Sequence, residues 1–468
     1  MKKNILLLLF FSALSSLYVL SQTPRMLPEI TPVGKGKVNT RVDNIGYWVR
    51  MAKMGYVKST PKTEVPAARF KSTDIIFYPT PNITRYPSQI INSPDVPVTG
   101  ETDVTQSENS IFIDPNDENV VLNSNNSSTW VSGYALNALG ADALYSFDNG
   151  LEWGGSTDGI NGSNGGDPST AIGLNGWWYV GRITGDYGQA VSYSKNQGKT
   201  WTRVKVGNGP TAGIGLLDKN HLWIDNSPES PYQGYLYNAW TNFIPGHPDT
   251  NQVQIVRSTN QGLTWSSPVN ISVGAAAQKL NHGVNLQTGP NGEVYATWSI
   301  YDGWPADETA IGFAKSFNGG SLFMPATRII SNIKGIRASM TGKNMRVSSF
   351  PSMAVDNSFG PHRGTIYLVW ANAGYPGINT GTDIDIYMIR SADAGSTWSA
   401  PIRVNQDPPG LGKQHYLPWI TCDRVTGGLC AIYYDDRNLD STQAATFVSV
   451  SYDGGNSWAD MQVSDYTF

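Results

Sequence analysis

Residues 433–437 read YYDDR, two aromatics, two acids and an arginine in succession. Paired carboxylates can divide general-acid and general-base roles, and a guanidinium can grip a carboxylate in a bidentate fork. Tyr434, Asp435, Asp436 and Arg437 are therefore candidates for catalysis. Acids recur upstream at similar places in three units: Glu108 in QSENS, Asp167 in GGDPS and Asp218 in LLDKNH. Asp167 and Asp218 join the catalytic candidates. Glu108 joins a binding set with Arg182, Asp186 and Tyr187 of YVGRITGDYG, Asp302 and Trp304 of YDGWPADE, Arg346, and His415 of KQHYLPW. Each acid could equally cap a turn or pair with a base. The YYDDR cluster could equally be a salt-bridged loop with buried aromatics.

The elements that position these residues are set by an internal repeat. SFDNGLEW (146–153) returns as SKNQGKTW (194–201), STNQGLTW (258–265), SFNGGSLF (316–323), SADAGSTW (391–398) and SYDGGNSW (451–458), at intervals of 48 to 75 residues. Around each copy lie apolar runs bounded by turn residues, such as VNLQTGPNGEVYATW and MAVDNSFGPHRGTIYLVW. The pattern predicts four antiparallel strands per unit, the octapeptide joining the third to the fourth. The units span roughly 105–155, 165–205, 217–270, 281–330, 348–403 and 415–468.

The third position of the octapeptide is Asp at Asp148, Asp393 and Asp453 but Asn at Asn196, Asn260 and Asn318. Asn cannot serve as a general acid, but it can accept the backbone hydrogen bonds of an Asx-type turn. All six positions are assigned to structure, with the fifth-position Gly supplying positive φ and the closing Trp packing between sheets.

These octapeptides resemble the Asp boxes, or bacterial neuraminidase repeats, of the sialidase superfamily of β-propellers, over residues 105–468. The resemblance implies an all-β, six-bladed propeller; a seven-bladed ring incomplete in this chain is the alternative. It further implies that ligands bind on the face opposite the octapeptide turns, near the central channel, where Trp178, Tyr187 and Trp304 could stack on sugars. A sialidase of this family needs three arginines, a tyrosine nucleophile with a Glu, and an Asp acid/base. Its F/Y-R-I-P phrase is absent; TRYPS around Arg85 has a different order. Arg182, Arg346 and Arg437 could form a triad with Tyr433 or Tyr434, but not in the family's order.

The chain opens with Lys2 and Lys3 followed by an apolar run, a signal peptide over residues 1–21 that implies secretion. Residues 22–104 form an extension expected to pack on or close the propeller. Within it NIGYWVRMAKMGYV places Ile45, Trp48, Met51, Ala52 and Tyr56 at helical spacing. Cys422 and Cys430, the only cysteines, flank a turn and are expected to form a cross-strand disulfide in an exported protein. A net charge of −4 with no basic cluster argues against nucleic acid. No further segment has the length to insert in a membrane. No cofactor is implied, although acid-rich loops could hold Ca²⁺. Partners are then glycans or glycoproteins, or other cell-surface proteins. Two readings follow: a glycoside hydrolase acting on sialylated or other complex glycans, and a non-catalytic glycan- or protein-binding propeller.

Overall fold

The computed structural model describes residues 71–72, 77–78, 95–99, 104–131, 135–210, 215–244, 251–275, 279–303, 306–337, 347–440 and 443–467. The proposed signal peptide and the 45–56 stripe lie outside them. The described residues contain strands and no helix.

Six sheets follow one another along the chain as the blades of a propeller. The first blade uses Val104–Asp114, Asp117–Val131, Ala143–Ser146 and Gly154–Ser156, with Ala135–Ala141 also paired to its second strand. The second uses Gly166–Ile172, Trp178–Ile183, Gln189–Ser194 and Thr202–Gly207. The third uses Leu216–Ile224, Leu236–Phe243, Asn251–Ser258 and Val269–Asn270. The fourth uses Leu280–Thr288, Val294–Tyr301, Ala310–Ser316 and Thr327–Ser331. The fifth uses Ser352–Val355, Ile366–Ala373, Ile384–Ser391 and Ile402–Arg403. The sixth uses His415–Cys422, Leu429–Asp435, Ala445–Ser451 and Ala459–Gln462, and gains an outer fifth strand, Phe77–Tyr78. The six-bladed expectation holds.

First strands of neighbouring blades stand against one another around the channel. One hydrogen bond stitches them repeatedly. Ser110 Oγ accepts from Thr170 N–H at 2.9 Å, Ser169 Oγ from Leu222 N–H at 2.8 Å, His221 Nδ1 from Leu286 N–H at 3.2 Å, and Ser352 Oγ from Ile420 N–H at 3.1 Å. His221 is thus a structural acceptor, and burial pushes its pKa down to about 3, with Lys219 adding to the effect.

Every third strand ends on the first Ser of its octapeptide. That Ser Oγ accepts from the N–H of the fifth-position Gly at 2.8 to 3.1 Å in all six copies. The Asp or Asn Oδ1 accepts from the N–H four residues ahead at 2.8 to 2.9 Å, whichever residue it is. The closing aromatic is half-buried in five copies, and only Trp458 is fully buried. The largest buried rings are instead Trp178, Trp240, Trp298 and Trp370 of the second strands.

The cysteines are free, which corrects the disulfide expectation. Cys422 stands opposite Leu429, and Cys430 opposite Thr421. The two are therefore one residue out of register, on opposite faces of the sheet, where no bridge can form.

Candidate functional site

Five inner strands lose register at the same point, between Ser107 and Ser110, Gly166 and Ser169, Asp218 and His221, His282 and Asn285, and Tyr416 and Trp419. Inside each bulge one residue takes positive φ: Glu108 (50°), Asp167 (53°), Lys219 (51°), Gly283 (75°) and Leu417 (54°). Phe350 holds the corresponding place in the fifth blade, two residues before Ser352. For a residue with a Cβ this backbone costs about 1–2 kcal/mol. The six residues ring the channel mouth in two halves. Blades one to three contribute Glu108, Asp167 and Lys219; blades four to six contribute Gly283, Phe350 and Leu417.

The charged half is tightly coupled. Lys219 N–H donates to Asp167 Oδ2 at 2.9 Å, and Lys219 Nζ lies 3.7 Å from Glu108 Oε2. Asn126 returns two bonds to Asp167: its Oδ1 accepts the Asp167 N–H at 2.6 Å, and its Nδ2 donates to Oδ1 at 3.3 Å. Burial raises the Asp167 pKa well above the usual range, and the Glu108 and Asp218 charges and a Glu108 hydrogen bond add to it against Lys219. Two adjacent carboxyls cannot both ionise cheaply, so the pair retains a proton.

Asp218 sits one residue behind the ring, not in it. It is buried, with Oδ2 3.6 Å from His282 Nε2, while His282 Nδ1 faces Thr241 Oγ1 at 3.1 Å. The His282 ring meets Phe243 and Phe350 edge-on at 5.1 and 4.9 Å. Beneath the mouth, His221 of the third blade approaches Trp419 of the sixth at 5.7 Å, and Phe112 approaches Trp223 at 5.8 Å. Aromatic rings thus narrow the channel below the charged residues.

The YYDDR cluster is buried rather than open to the face. Arg437 bonds Asp435 Oδ2 through Nε at 2.7 Å and Nη2 at 2.5 Å, contacts Asp460 Oδ2 at 2.8 Å, and lies over the Phe447 ring at 4.3 Å. Its Nη2 also donates to Tyr433 Oη at 3.2 Å. Asp436 accepts the Gln414 N–H at 2.8 Å, a turn-capping role, and Tyr434 packs edge-on against Tyr416. His415 sits at the centre, with Nδ1 2.8 Å from Ile384 O and Nε2 3.2 Å from both Asp407 and Asp435. Burial disfavours its charge, but Asp435 and Asp407 override this and raise its pKa well above the usual value. Of the candidates Tyr434, Asp435, Asp436, Arg437 and His415, the last four are buried and bonded to protein partners, while Tyr434 is half-buried against Tyr416.

Asp385, Asp407 and His415 offer one ligand atom each within 4.8 Å, the metal-like group among the described residues. Both ring nitrogens of His415 face oxygen acceptors, and a ring protonated at both has no lone pair to give. Arg403 also occupies Asp385 and Asp407 at 3.0 Å each. The group does not fit a metal.

Arg182 is buried in the second blade, donating to Ser192 Oγ at 2.5 Å and Asn161 Oδ1 at 3.2 Å, with its pKa lowered to about 10 by burial. Arg437 is likewise held by Asp435 and Asp460 of its own blade; Arg346 and Trp304 lie outside the described residues. Asp186 is exposed and paired with Lys205 at 2.5 Å, in the turn that carries Tyr187 at φ 63°. Asp302 is exposed and paired with Arg328 at 2.5 Å. Both acids are far less constrained than the mouth.

Of the predicted residues, Glu108 and Asp167 come together, with Asp218 behind them. Their partners Lys219, Phe350 and His282 lie outside the candidate set, although Lys219 and His282 stand in the same strand entries, LLDKNH and LNHGV. The signal was present: ENSIFI, DPSTAI, KNHLWI, GVNLQT, FPSMAV and LPWITC align without gaps, and their first letters are the ring.

No protein-family model matches this chain, and no curated protein does. Solved structures do. A Dyadobacter fermentans protein of unknown function shares 13% identity over 84% of this chain and 98% of its own, with a TM-score of 0.44. A Fusarium graminearum α-L-arabinofuranosidase shares 12% identity over 77% of this chain and 93% of its own, TM-score 0.44. A Hadza microbial sialidase shares 13% identity over 70% of this chain and 63% of its own, TM-score 0.43. These are likenesses of fold.

Proposed function

We propose that this is an exported, glycan-directed propeller whose ligand binds at the channel mouth, and that Asp167 is the proton donor for cleaving a glycosidic bond there. The observation behind the reading is the bulge ring. Three successive blades place Glu108, Asp167 and Lys219 in strained backbone at one height, coupled to one another. The charged half suits sugar hydroxyls, and the Phe350–Leu417 half suits the apolar C–H face of a ring. A protonated Asp167 can pass its proton to the leaving glycosidic oxygen as the C–O bond breaks. Water then supplies hydroxide to the anomeric carbon and returns its proton to the carboxyl pair. A complex glycan without a required sialic acid fits better than a sialoside, because the Arg182 and Arg437 guanidinium groups are buried and held by protein partners.

One observation favours a second reading, binding without turnover. Carboxyls that flank a scissile bond stand about 5 Å or more apart. Glu108 and Asp167 are instead close enough for their charges to couple, so they act as a single acid and leave the nucleophile unassigned. A glycan array together with a panel of fluorogenic glycosides, sialosides included, separates the readings. Turnover supports the first, binding alone the second, and neither binding nor turnover removes both.

A further inference from the structure

The cleft between the second and third blades differs in chemistry from the channel mouth. It encloses about 390 Å³, within the roughly 300–1,000 Å³ of small-ligand sites. Val206, Leu217 and Pro268 give it apolar walls, and Asn208, Asn242 and Gln254 give it carboxamides. Lys205, its charged lining residue, is paired with Asp186 at 2.5 Å.

Topology places the cleft on the same face as the mouth. Gly207 ends the fourth strand of the second blade, and Asn242 stands one residue from the end of the second strand of the third. Both strand ends lie opposite the octapeptide turns, as the bulge ring does. Leu217 precedes Lys219 of the ring by two residues, about 7 Å along the strand. Leu217 pairs with Asn242, and Asn242 with Gln252, so all three side chains share the sheet face that packs Leu217 and Trp240 on the second blade. The Trp240 indole can only donate, and it donates to Gln254 Oε1 at 3.2 Å. That bond turns Gln254 Nε2 toward Gln252 Oε1, also 3.2 Å away, and fixes the orientation of the amide.

The repeat supplies an internal comparison. Two residues after the buried Trp of the second strand stand Asn242 in the third blade, Ile300 in the fourth and Asn372 in the fifth. Ile300 and Asn372 are fully buried. Asn372 spends its amide on Gly374 O at 2.7 Å and Ala373 O at 3.1 Å, and accepts from Lys334 N–H at 2.9 Å. Asn242 is half-buried, lines the cleft, and bonds through its side chain to no other described residue; the exposed Asn208 does the same. Two amides that the fold does not use therefore face one space.

We infer that this cleft binds a neutral sugar unit of the glycan held at the channel mouth, so the ligand is an oligosaccharide laid outward between the second and third blades. The inference rests on the glycan reading of the mouth. A carboxamide offers both donors and an acceptor, the complement of neighbouring sugar hydroxyls. Val206, Leu217 and Pro268 suit the C–H faces of the ring. With Lys205 already paired, a carboxylate-bearing sugar gains nothing here over a neutral one.

Affinities are titrated on an array of neutral and sialylated glycans, from mono- to hexasaccharides, for the natural protein, Asn242→Ile and Asn208→Ala. Ile is what the fourth blade carries at this position, so the strand keeps a side chain of a kind the fold accepts. The natural protein should gain affinity as a bound neutral glycan lengthens. Each variant should lose about threefold to tenfold of that gain, the scale of one neutral hydrogen bond. No gain with length, the same gain in all three proteins, or a gain confined to sialylated glycans overturns the cleft subsite and leaves the mouth reading standing. No glycan binding at any length removes the mouth reading, and the subsite with it. If Asn242→Ile does not fold, Asn208→Ala, at an exposed position beyond the strand, decides by the same criteria.

Discussion

Lys219 donates its backbone N–H to the Asp167 carboxylate at 2.9 Å while its ammonium lies 3.7 Å from Glu108. One residue of the third blade therefore holds an acid from each of the two preceding blades. Because Asp167 has a raised pKa in the folded protein, it binds a proton that the unfolded chain releases near pH 4. Stability then falls as pH rises from about 4 through the folded pKa. Asp167→Asn lacks this loss. Its melting temperature should match that of the natural protein near pH 4 and exceed it increasingly toward pH 7. A gap that does not grow with pH would contradict the shared-proton assignment.

The network around His415 should behave with two limbs. Its raised pKa gives stability that is complete below about 6.5 and lost as pH rises through the folded value. Asp435 and Asp407 have lowered pKa values; burial opposes the shift, but His415 and Arg437 outweigh it. Their contribution is present above about 4 and lost as pH falls through the folded values. Removing one buried partner costs about 3–5 kcal/mol. Urea unfolding of His415→Asn should show that deficit largest between about pH 4 and 6.5, shrinking on either side. A deficit independent of pH would mean that packing alone is lost.

Asp453 tests the structural reading of the octapeptide. Its Oδ1 accepts from Asn456 and Ser457 N–H, both at 2.9 Å. Asp453→Asn keeps that acceptor, as Asn196, Asn260 and Asn318 do, and should unfold within about 0.5 kcal/mol of the natural protein. Asp453→Ala leaves the turn amides unpaired and should lose about 1–2 kcal/mol. Equal losses in both variants would point to a need for charge.

Gly283 occupies the ring where a side chain has no room. Its φ is +75°, and a Cβ there would lie 2.2 Å from Phe350 Cδ1. Gly283→Ala should cost about 2–4 kcal/mol through left-handed strain and overpacking. Phe350→Ala opens the space, so the double variant should recover part of that loss. Strict additivity would show that the contact is not what excludes the methyl group.

The blades were legible because the turn chemistry is local. A Ser, an Asp or Asn and a Gly at set offsets make the same bonds in every copy, so counting phrases counts blades. The site was less legible for two physical reasons. Composition cannot tell whether a dense YYDDR run faces outward, and strand order alone does not say that Phe447 and Asp460, on the third and fourth strands of the same blade, meet its side chains. The bulge also moves the ring one residue: Asp218 looked equivalent to Glu108 and Asp167, but Lys219 is, and Asp218 turns inward to His282. The same single-residue arithmetic separated Cys422 from Cys430 across the sheet.

In the proposed function the channel mouth works through Asp167. Its most direct test is glycan binding and turnover of the natural protein beside Asp167→Asn, with His415→Asn as a control altered only in the buried network. Asp167→Asn should stay folded but lose turnover about 10²-fold or more, the usual scale of a general-acid contribution. If the ligand is bound without turnover, affinity should fall instead, while folded His415→Asn retains function. Undiminished binding and turnover in Asp167→Asn would place the site elsewhere on the propeller.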